Sequence, residues 1–233
     1  MLENVALKGP DLVPDYFDTT KTENGRVSYP IFHIDNYHEP QTAGHPNNII
    51  FLSCDAFGVL PPIAKLTPEQ AMYHFISGYT AKVAGTERGI TEPVATFSAC
   101  FGAAFLTLHP ARYAELLKDK LEKHSAQAWI VNSGWSGGPY GVGERMSIKT
   151  TRNCVNAILD GTIENTTWKK DPVFQWELPD SVPNVEPSVL SPRNTWPKPE
   201  EYDEAEKKLA AMYVKNFEKY ADTGYAQFGP QIE

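Results

Sequence analysis

Two short apolar segments, Asn48–Ser53 and residues 128–132, constrain the fold of this chain more than any other feature of its sequence. Each is a nearly continuous run of aliphatic and aromatic side chains, which is typical of a strand buried on both faces of a sheet. Helices are indicated between them, because residues 67–70 read Thr-Pro-Glu-Gln, a favourable helix start, and an apolar stripe runs from Pro110 to about residue 123. This alternation predicts a mixed α/β (α+β) fold.

Three other stretches are predicted to be irregular. Residues 133–143 contain five glycines and should form a loop of unusual backbone freedom. Residues 78–96 are polar and aperiodic, as functional or mobile loops often are, and the seven prolines in residues 172–199 predict an extended arm. Further regular elements are predicted as an edge strand at 27–34, a helix at about 151–160 and a C-terminal helix at 200–222.

Charge and cysteine content exclude several classes of protein. Lys plus Arg is 21 and Asp plus Glu is 29, so the formal net charge is −8, the wrong sign for binding nucleic acid. No apolar run approaches the roughly 20 residues that cross a bilayer, so we also expect no membrane partner. The three cysteines have no paired spacing, which favours a reducing, cytoplasmic compartment.

Each short motif in the sequence is weak evidence for a function when it is judged alone. Residues 134–138 satisfy GxSxG around Ser136, but Pro139 and further glycines follow where a hydrolase nucleophile needs a helix. Residues 138–143 have the glycines of a phosphate loop without its Lys-Ser/Thr ending, so ligand binding and a plain flexible loop fit them equally. The six histidines show no HExxH pattern, and we expect no metal held by this chain alone.

Longer segments, taken together, carry a family resemblance. They read TENGRVSYP at 22–30, FLSCDAFGVLPP at 51–62, YHFISGYT at 73–80, AGTERGITEP at 84–93, TFSACFG at 96–102 and GERMSIK at 143–149. In this order they closely resemble the C-terminal portion of the ATP-dependent phosphoenolpyruvate carboxykinases. The resemblance runs from Met1 almost to Glu233, and residues 229–233 look nearest to fungal-type members.

The resemblance implies a partial nucleotide-binding domain over residues 1–233, taken from an enzyme more than twice as long. The complete enzyme converts oxaloacetate and ATP to phosphoenolpyruvate, carbon dioxide and ADP in gluconeogenesis, with Mg²⁺ and Mn²⁺ as cofactors. Its kinase phosphate loop and its metal ligands lie upstream of the position that matches Met1. We therefore expect the isolated chain to hold no metal and to be inactive.

The same resemblance makes the chain a fragment, a split-gene product or a truncated paralogue. A separate N-terminal half or another protein chain is then the expected partner, together with oxaloacetate or phosphoenolpyruvate and ATP in the complete enzyme. The alternative is a noncatalytic binding or assembly subunit. Because strands of the domain would be missing, we expect exposed apolar sheet edges unless a partner covers them.

Roles for individual residues follow from the resemblance. Arg26 matches the arginine that the family aims at the substrate and at the γ-phosphate, where it clamps the charge of the transferring group. Arg145 and Met146 match residues around the adenine and ribose, and Thr151 matches a threonine at the same edge of the nucleotide. The glycine-rich segment then becomes a wall beside the base, which favours ligand binding over a plain loop.

Residues 81–97 match the lid that closes over the active site in this family. Glycine hinges and few core contacts suit a lid, and its closure would keep water from protonating the enolate intermediate. The lid positions assigned in this way are Lys82, Gly85, Thr86, Glu87, Arg88 and Gly89.

Three positions depart from the family pattern. Gly25 stands where many members have threonine, Met146 where others have isoleucine, and Glu144 where many have lysine. Glu144 places an anion beside an anionic nucleotide, where the family has a cation. We therefore expect weaker ATP affinity than is usual in the family, and we expect Glu144→Lys in a full-length enzyme to restore it.

Overall fold

A computed structural model describes residues 1–22, 24–83 and 89–232 of the chain. The chain divides into two compact units. One unit comprises Met1–His45 and Lys82–Val94, and the other comprises Pro46–Ala81 and Ala95–Glu233. Among the described residues, every helix is too short or too polar to span a bilayer.

Short antiparallel strand pairs form the described part of the first unit. The strands are β1 (Leu2–Glu3), β2 (Ala6–Lys8), β3 (Val13–Asp15) and β4 (Arg26–Val27). Strand β1 pairs with β4 and β2 pairs with β3. The prediction of a strand over 27–34 is wrong beyond Val27, because Pro30 is followed by a 3₁₀ turn at Ile31–His33.

The described residues after position 45 form the other strands and the helices. The strands are β5 (Asn48–Ser53), β6 (Ile63–Leu66), β7 (Tyr79–Lys82), β8 (Val94–Phe97), β9 (Gln127–Asn132), β10 (Trp135–Ser136), β11 (Glu144–Arg145), β12 (Trp168–Lys170) and β13 (Glu177–Pro179). The helices are α1 (Pro68–Ser77), α2 (Pro110–His124), α3 (Ile148–Leu159) and α4 (Pro199–Phe217).

A five-stranded mixed sheet organises the second unit, with the strand order β12–β13–β6–β9–β5. Strands β5 and β9 are parallel, with Asn48 opposite Gln127 and Ser53 opposite Asn132. The other neighbouring strands are antiparallel. Both predicted strands are therefore present, and their carboxyl ends lie side by side at one end of the sheet. The predicted burial on both faces is wrong for β5 at Leu52, which is 66% exposed.

Helices cover both faces of this sheet. Successive residues of β9 point to opposite faces, so Ile130 enters one core while Trp129 and Val131 enter the other. The first core also contains Tyr213 of α4, and the second contains Ile158 of α3. This mixed α/β arrangement confirms the predicted fold class.

Local sequence explains where helix α1 begins and ends. The Thr67 hydroxyl accepts a hydrogen bond from the Gln70 backbone N–H at 3.2 Å, and the Gln70 side-chain oxygen accepts one from the Thr67 N–H at 3.0 Å. This reciprocal pair is the predicted capping box. Gly78 ends the helix in the left-handed conformation at φ 55°, which a residue with a side chain rarely adopts.

The other predicted helices are present with shifted bounds. Helix α2 begins at Pro110, as its sequence predicts. Helix α4 begins at Pro199, one residue before the predicted start, and ends at Phe217 rather than at residue 222, because a 3₁₀ segment follows at Glu218–Thr223. Helix α3 begins at Ile148 rather than near residue 151, because the Ser147 hydroxyl caps it by accepting a hydrogen bond from the Thr150 N–H at 3.0 Å.

The proline-rich stretch 172–199 contributes to the sheet, although its prolines predict no regular structure. Strand β13 lies within it and pairs with β12 and β6. Its only proline, Pro179, is the last residue of the strand, where a missing N–H disturbs the ladder least. Val182 and Leu190 from the same stretch are buried in the core.

A buried carboxyl on α4 predicts pH-dependent stability. Glu206 is 6% exposed. Burial raises its pKa to about 7, and the nearby charge of Asp171 adds to the rise. In the unfolded chain its pKa is near 4.5, so the folded state retains a proton that the unfolded state releases between the two values. The resulting stabilisation is complete below pH 4.5 and is lost as the pH rises through 7.

Between about pH 5 and pH 8, the free energy of unfolding of the wild type should fall by on the order of 2 kcal/mol because of Glu206, and Glu206→Gln is expected to abolish this fall. The measurement is the free energy of unfolding in urea across that range. Glu204→Gln, at an exposed position of the same helix, is the matched control and should keep the wild-type profile. Equal pH slopes in wild type and Glu206→Gln would contradict the prediction.

Candidate functional site

The candidate site of the second unit lies where the parallel strands β5 and β9 end. Ser53 and Asn132 are the last residues of the two strands and lie opposite each other. In open α/β sheets, ligands bind in the crevice outside the carboxyl ends of parallel strands. The residues that follow these two strands are therefore the first candidates for a binding site.

Asp55, just after β5, is a fully buried carboxylate that organises the turn behind it. Its oxygens accept hydrogen bonds from the N–H groups of Phe57 at 3.0 Å, Val59 at 2.7 Å and Leu60 at 3.0 Å. They also accept one from the Tyr79 hydroxyl at 2.7 Å. One buried anion thus fixes four donors, which holds the backbone of residues 56–60 in a single conformation.

Asn132, at the end of β9, joins the two strand ends. Its side-chain oxygen accepts hydrogen bonds from the N–H groups of Asp55 and Gly134, both at 2.9 Å. Its side-chain nitrogen donates to the Leu60 carbonyl at 2.8 Å. The amide is fully buried, and its contacts tie both strand ends to the turn that Asp55 organises.

Glycines are required where these segments approach each other. A Cβ atom on Gly134 would overlap the backbone of Asp55, and one on Gly58 would overlap the backbone of Gly138. Gly58 also has a φ of +73°, in the left-handed region. The glycine-rich segment is therefore packed closely against the turn after β5, which gives its glycines a structural role.

Arg145, on β11, lies across the ends of the parallel strands. Its Nε donates to the Ser133 carbonyl at 3.2 Å, and its Nη2 lies 3.9 Å from the Cys54 sulfur. The guanidinium carbon is 5.5 Å from the centre of the Trp135 ring, within cation–π range. Burial raises the pKa of the Cys54 thiol, and Arg145 opposes that rise. These contacts orient the guanidinium while the residue as a whole remains exposed.

A cavity of about 450 Å³ opens beside Arg145. Its volume is in the range of small-molecule sites. Met146 is at its wall and is fixed by a hydrogen bond from its N–H to the Gly134 carbonyl at 2.8 Å. Other residues that line the cavity are Ser136, Glu144, Ser147, Thr150, Val189 and Thr195.

The structure brings two of the three predicted nucleotide residues to this cavity. Arg145 and Met146 line it, and Thr151 lies one residue beyond the lining Thr150, in the first turn of α3. Glu144 also lines the cavity, so its negative charge lies where a bound anion would meet it. The sequence alone did not single out Asp55, Asn132 or Trp135, and the only signal was the occurrence of polar residues directly after apolar strands.

Ser136 does not have the setting of a hydrolase nucleophile. It lies on β10, which pairs with β11, whereas a nucleophile elbow turns directly from a strand into a helix. Its hydroxyl is 3.3 Å from the Thr195 hydroxyl, and the Gly137 N–H donates to that same Thr195 oxygen at 2.9 Å. These contacts anchor the glycine-rich segment.

Arg26, the predicted catalytic residue, belongs to the first unit. It is exposed on β4, and its Nε donates to the Asn24 side-chain oxygen at 3.4 Å. It lines a cavity of about 150 Å³ together with Asp15 and Asp18. Within this unit, Arg26 is therefore an exposed cation at a cavity that two aspartates also line.

The predicted lid is described only at its ends. Lys82 is the last residue of β7, which pairs with β8, so residues 78–96 contain regular structure where the sequence predicts a loop. Gly89 has a φ of +85°. The remaining lid positions, Gly85, Thr86, Glu87 and Arg88, lie outside the described residues.

The donor set of the described residues does not fit the metals that the resemblance implies. In residues 1–22, 24–83 and 89–232, no three His, Cys, Asp or Glu side chains gather as a metal site would require. His74 is fully enclosed, its Nε2 accepts a hydrogen bond from the Trp176 indole N–H at 2.9 Å, and burial lowers its pKa to about 3. It is a neutral core residue.

Comparison with known proteins identifies the relatives of this chain. A family model described as phosphoenolpyruvate carboxykinase matches residues 1–188. A protein named phosphoenolpyruvate carboxykinase (ATP) from Campylobacter jejuni is 57% identical over 100% of this chain and 45% of its own length. Proteins of the same name from Campylobacter lari and Leptospira biflexa are 60% and 54% identical, over 95% and 99% of this chain and 42% and 44% of their own lengths.

The chain thus spans less than half the length of the curated relatives it matches. These relatives come from bacteria, so they do not support the predicted likeness of the C-terminus to fungal-type members.

Proposed function

Because the chain belongs to the phosphoenolpyruvate carboxykinase (ATP) family, we propose that it supplies the adenine side of the nucleotide site and one catalytic arginine to that enzyme. The reaction is the conversion of oxaloacetate and ATP to phosphoenolpyruvate, carbon dioxide and ADP. A cytoplasmic location, a gluconeogenic role, and Mg²⁺ and Mn²⁺ held outside this chain belong to the same proposal.

The fixed guanidinium of Arg145 is the observation that carries this proposal. The Ser133 carbonyl and the Trp135 ring orient it at the wall of the 450 Å³ cavity. A planar base can stack on a guanidinium that is already held in place, because little side-chain entropy is then lost on binding. Met146 supplies an apolar contact at the same wall, and Thr151 is assigned to the edge of the nucleotide.

Arg26 is assigned to the transferring group. Loss of carbon dioxide from oxaloacetate leaves an enolate, whose oxygen attacks the γ-phosphorus while the bond to the ADP oxygen breaks. A guanidinium directed at the γ-phosphate offsets the charge that spreads over its oxygens in the transition state. The lid at 81–97 would exclude the water that otherwise protonates the enolate at carbon to give pyruvate.

Arg145→Ala is expected to lower the affinity of the chain for adenine nucleotides about tenfold, which corresponds to about 1.4 kcal/mol for a lost stacking contact. The measurement is a titration with AMP and with ATP, followed by tryptophan fluorescence. Because this chain would bind mainly the base, ATP should bind no more tightly than AMP, since the charge of Glu144 at the cavity opposes the added phosphates. Ribose 5-phosphate should not bind.

Two variants control the titration. Trp135→Phe should remove most of the fluorescence change, since the Trp135 ring centre lies 5.5 Å from the Arg145 guanidinium carbon. Arg112→Ala, at an exposed arginine of α2, should bind like the wild type. If Arg145→Ala and Arg112→Ala bind AMP equally well, or if the wild-type chain binds neither AMP nor ATP, the proposed nucleotide role is wrong. The alternative of a noncatalytic binding or assembly subunit would then be favoured.

The isolated chain is expected to give no carboxykinase turnover, because the phosphate loop and metal ligands are assigned to the part of the enzyme outside it. The assay is the formation of phosphoenolpyruvate from oxaloacetate and ATP with Mg²⁺ and Mn²⁺, using the pure 233-residue chain. The positive control is the intact relative from Campylobacter jejuni. Turnover by the rigorously pure chain would contradict this prediction.

A further inference from the structure

A second cavity of the same unit, about 280 Å³ in volume, lies between strand β12, the proline-rich stretch 172–199 and helix α4. Its volume is close to the lower limit for small-molecule sites. It shares no lining residue with the cavity at Arg145, so the two cavities are separate. The proposed function leaves this second cavity unused.

Two buried carboxyl groups line the second cavity. Asp171 is 8% exposed and Glu206 is 6% exposed. Oδ1 of Asp171 accepts hydrogen bonds from the N–H groups of Val173 at 3.0 Å and Phe174 at 2.5 Å, and Oε1 of Glu206 accepts one from the Tyr202 hydroxyl at 2.9 Å. Oδ2 and Oε2 accept none from any residue that the structure describes. Two acceptor oxygens of buried side chains are therefore available to a ligand.

These two carboxyls favour a bound cation. Burial and the charge of Asp171 raise the pKa of Glu206 to about 7, so near neutral pH a proton offsets the repulsion between the two groups. An ammonium group could replace that proton and donate to both available oxygens. A metal ion fits less well, because no group of three metal-ligating side chains occurs in the described part of the chain.

Cations line the same cavity at exposed positions. Lys169 already lies 3.7 Å from a carboxylate oxygen of Asp180, and Arg193 binds Asp203 through two hydrogen bonds of 2.7 and 2.9 Å. Lys170 has no ion pair or side-chain hydrogen bond with any described residue. Its ammonium is therefore available to bind a carboxylate.

We propose that this second cavity binds a small zwitterion of the free amino acid class, with its ammonium at Asp171 and Glu206 and its carboxylate at Lys170. The charged lining residues include three of each sign, so a ligand without net charge suits the cavity. The buried side chains of Leu178 and Pro192 also line it, which favours an amino acid with an apolar side chain. This site goes beyond the proposed function and does not depend on it.

The test is a calorimetric titration of the chain with L-leucine at pH 7.5. Two analogues of similar shape are the matched ligands, since 4-methylpentanoate lacks the ammonium and 3-methylbutylamine lacks the carboxylate. L-leucine should bind at least tenfold more tightly than either analogue, because each analogue loses one charged contact. If L-leucine does not bind, or if either analogue binds as tightly, the proposal is wrong.

Two variants locate the binding. Glu206→Gln keeps the shape of the side chain but removes its charge, and it should weaken L-leucine binding at least tenfold. Lys170→Gln should weaken L-leucine binding but leave the weaker binding of 3-methylbutylamine unchanged, a difference that a general disturbance of the fold would not produce. Glu204→Gln and Lys207→Gln, at exposed positions of α4, are the matched controls. Binding by Glu206→Gln and Lys170→Gln that equals binding by these controls would overturn the proposal.

The dependence on pH provides a further readout. Below pH 7 the proton on Glu206 competes with the ammonium, so the wild-type affinity for L-leucine should rise about tenfold from pH 6 to pH 8. In Glu206→Gln the affinity should stay constant over this range, whereas a constant affinity in the wild type would contradict the proposal. The other titratable or charged groups that line the cavity around Glu206 are Tyr202 and Asp203 of its own helix, and Lys169, Lys170, Asp171 and Arg193 of the segments packed against it.

Discussion

Replacing Arg26 with alanine is expected to lower the carboxykinase rate by about 10³- to 10⁵-fold, the range for an arginine that stabilises a transferring phosphoryl group. The enzyme for this test is a full-length chimera in which this chain replaces the matching part of the Campylobacter jejuni relative. The stabilised charge develops only in the transition state, so kcat should fall much more than KM rises.

The control for Arg26 separates charge from shape. Arg26→Lys keeps the positive charge but loses the planar fork that binds two phosphate oxygens, so it should recover only part of the rate. Lys21→Ala, at an exposed cation of the same unit, should retain the full rate. If Arg26→Ala costs less than tenfold, or raises KM alone, the assignment of Arg26 to the transferring group is wrong.

Elements set by local sequence were predictable. The capping box at Thr67 and Gln70 determines where α1 begins. It involves only neighbouring residues, so it can be recognised without knowledge of the rest of the chain. Strands β5 and β9 were predictable for a related reason, since continuous apolar runs are recognisable by themselves. The residues of the candidate nucleotide wall, Arg145 and Met146, came from a family resemblance rather than from any local pattern.

Elements set by distant partners were not predictable. Asn132 binds the Asp55 backbone from 77 positions away, and nothing near either residue indicates this pairing. Strand β13 forms inside a proline-rich stretch because β6 and β12 provide neighbours for it, so tertiary pairing outweighs local propensity. The exposed side of Leu52 was missed for the same reason, because an apolar run does not reveal which strands will cover it.

Asp55→Ala is expected to destabilise the chain by several kcal/mol, a large part of the roughly 5–15 kcal/mol that stabilises a typical domain. The substitution would leave three backbone N–H groups and the Tyr79 hydroxyl without their acceptor. Each unsatisfied buried group costs about 1–3 kcal/mol. The measurement is the free energy of unfolding in urea at neutral pH.

Two variants make the Asp55 prediction specific. Asp55→Asn keeps one acceptor oxygen but directs an NH₂ group at hydrogen-bond donors. It should therefore lower the free energy of unfolding by less than Asp55→Ala does, but still measurably. Asp119→Ala, at an exposed aspartate of α2, should change the stability by less than about 0.5 kcal/mol. If Asp55→Ala lowers the free energy of unfolding by less than about 1 kcal/mol, the turn at residues 56–60 does not depend on the Asp55 carboxylate. The turn after β5 packs against Gly138 through Gly58. If Asp55→Ala disorders this turn, the molecules that remain folded should also bind AMP at Arg145 more weakly.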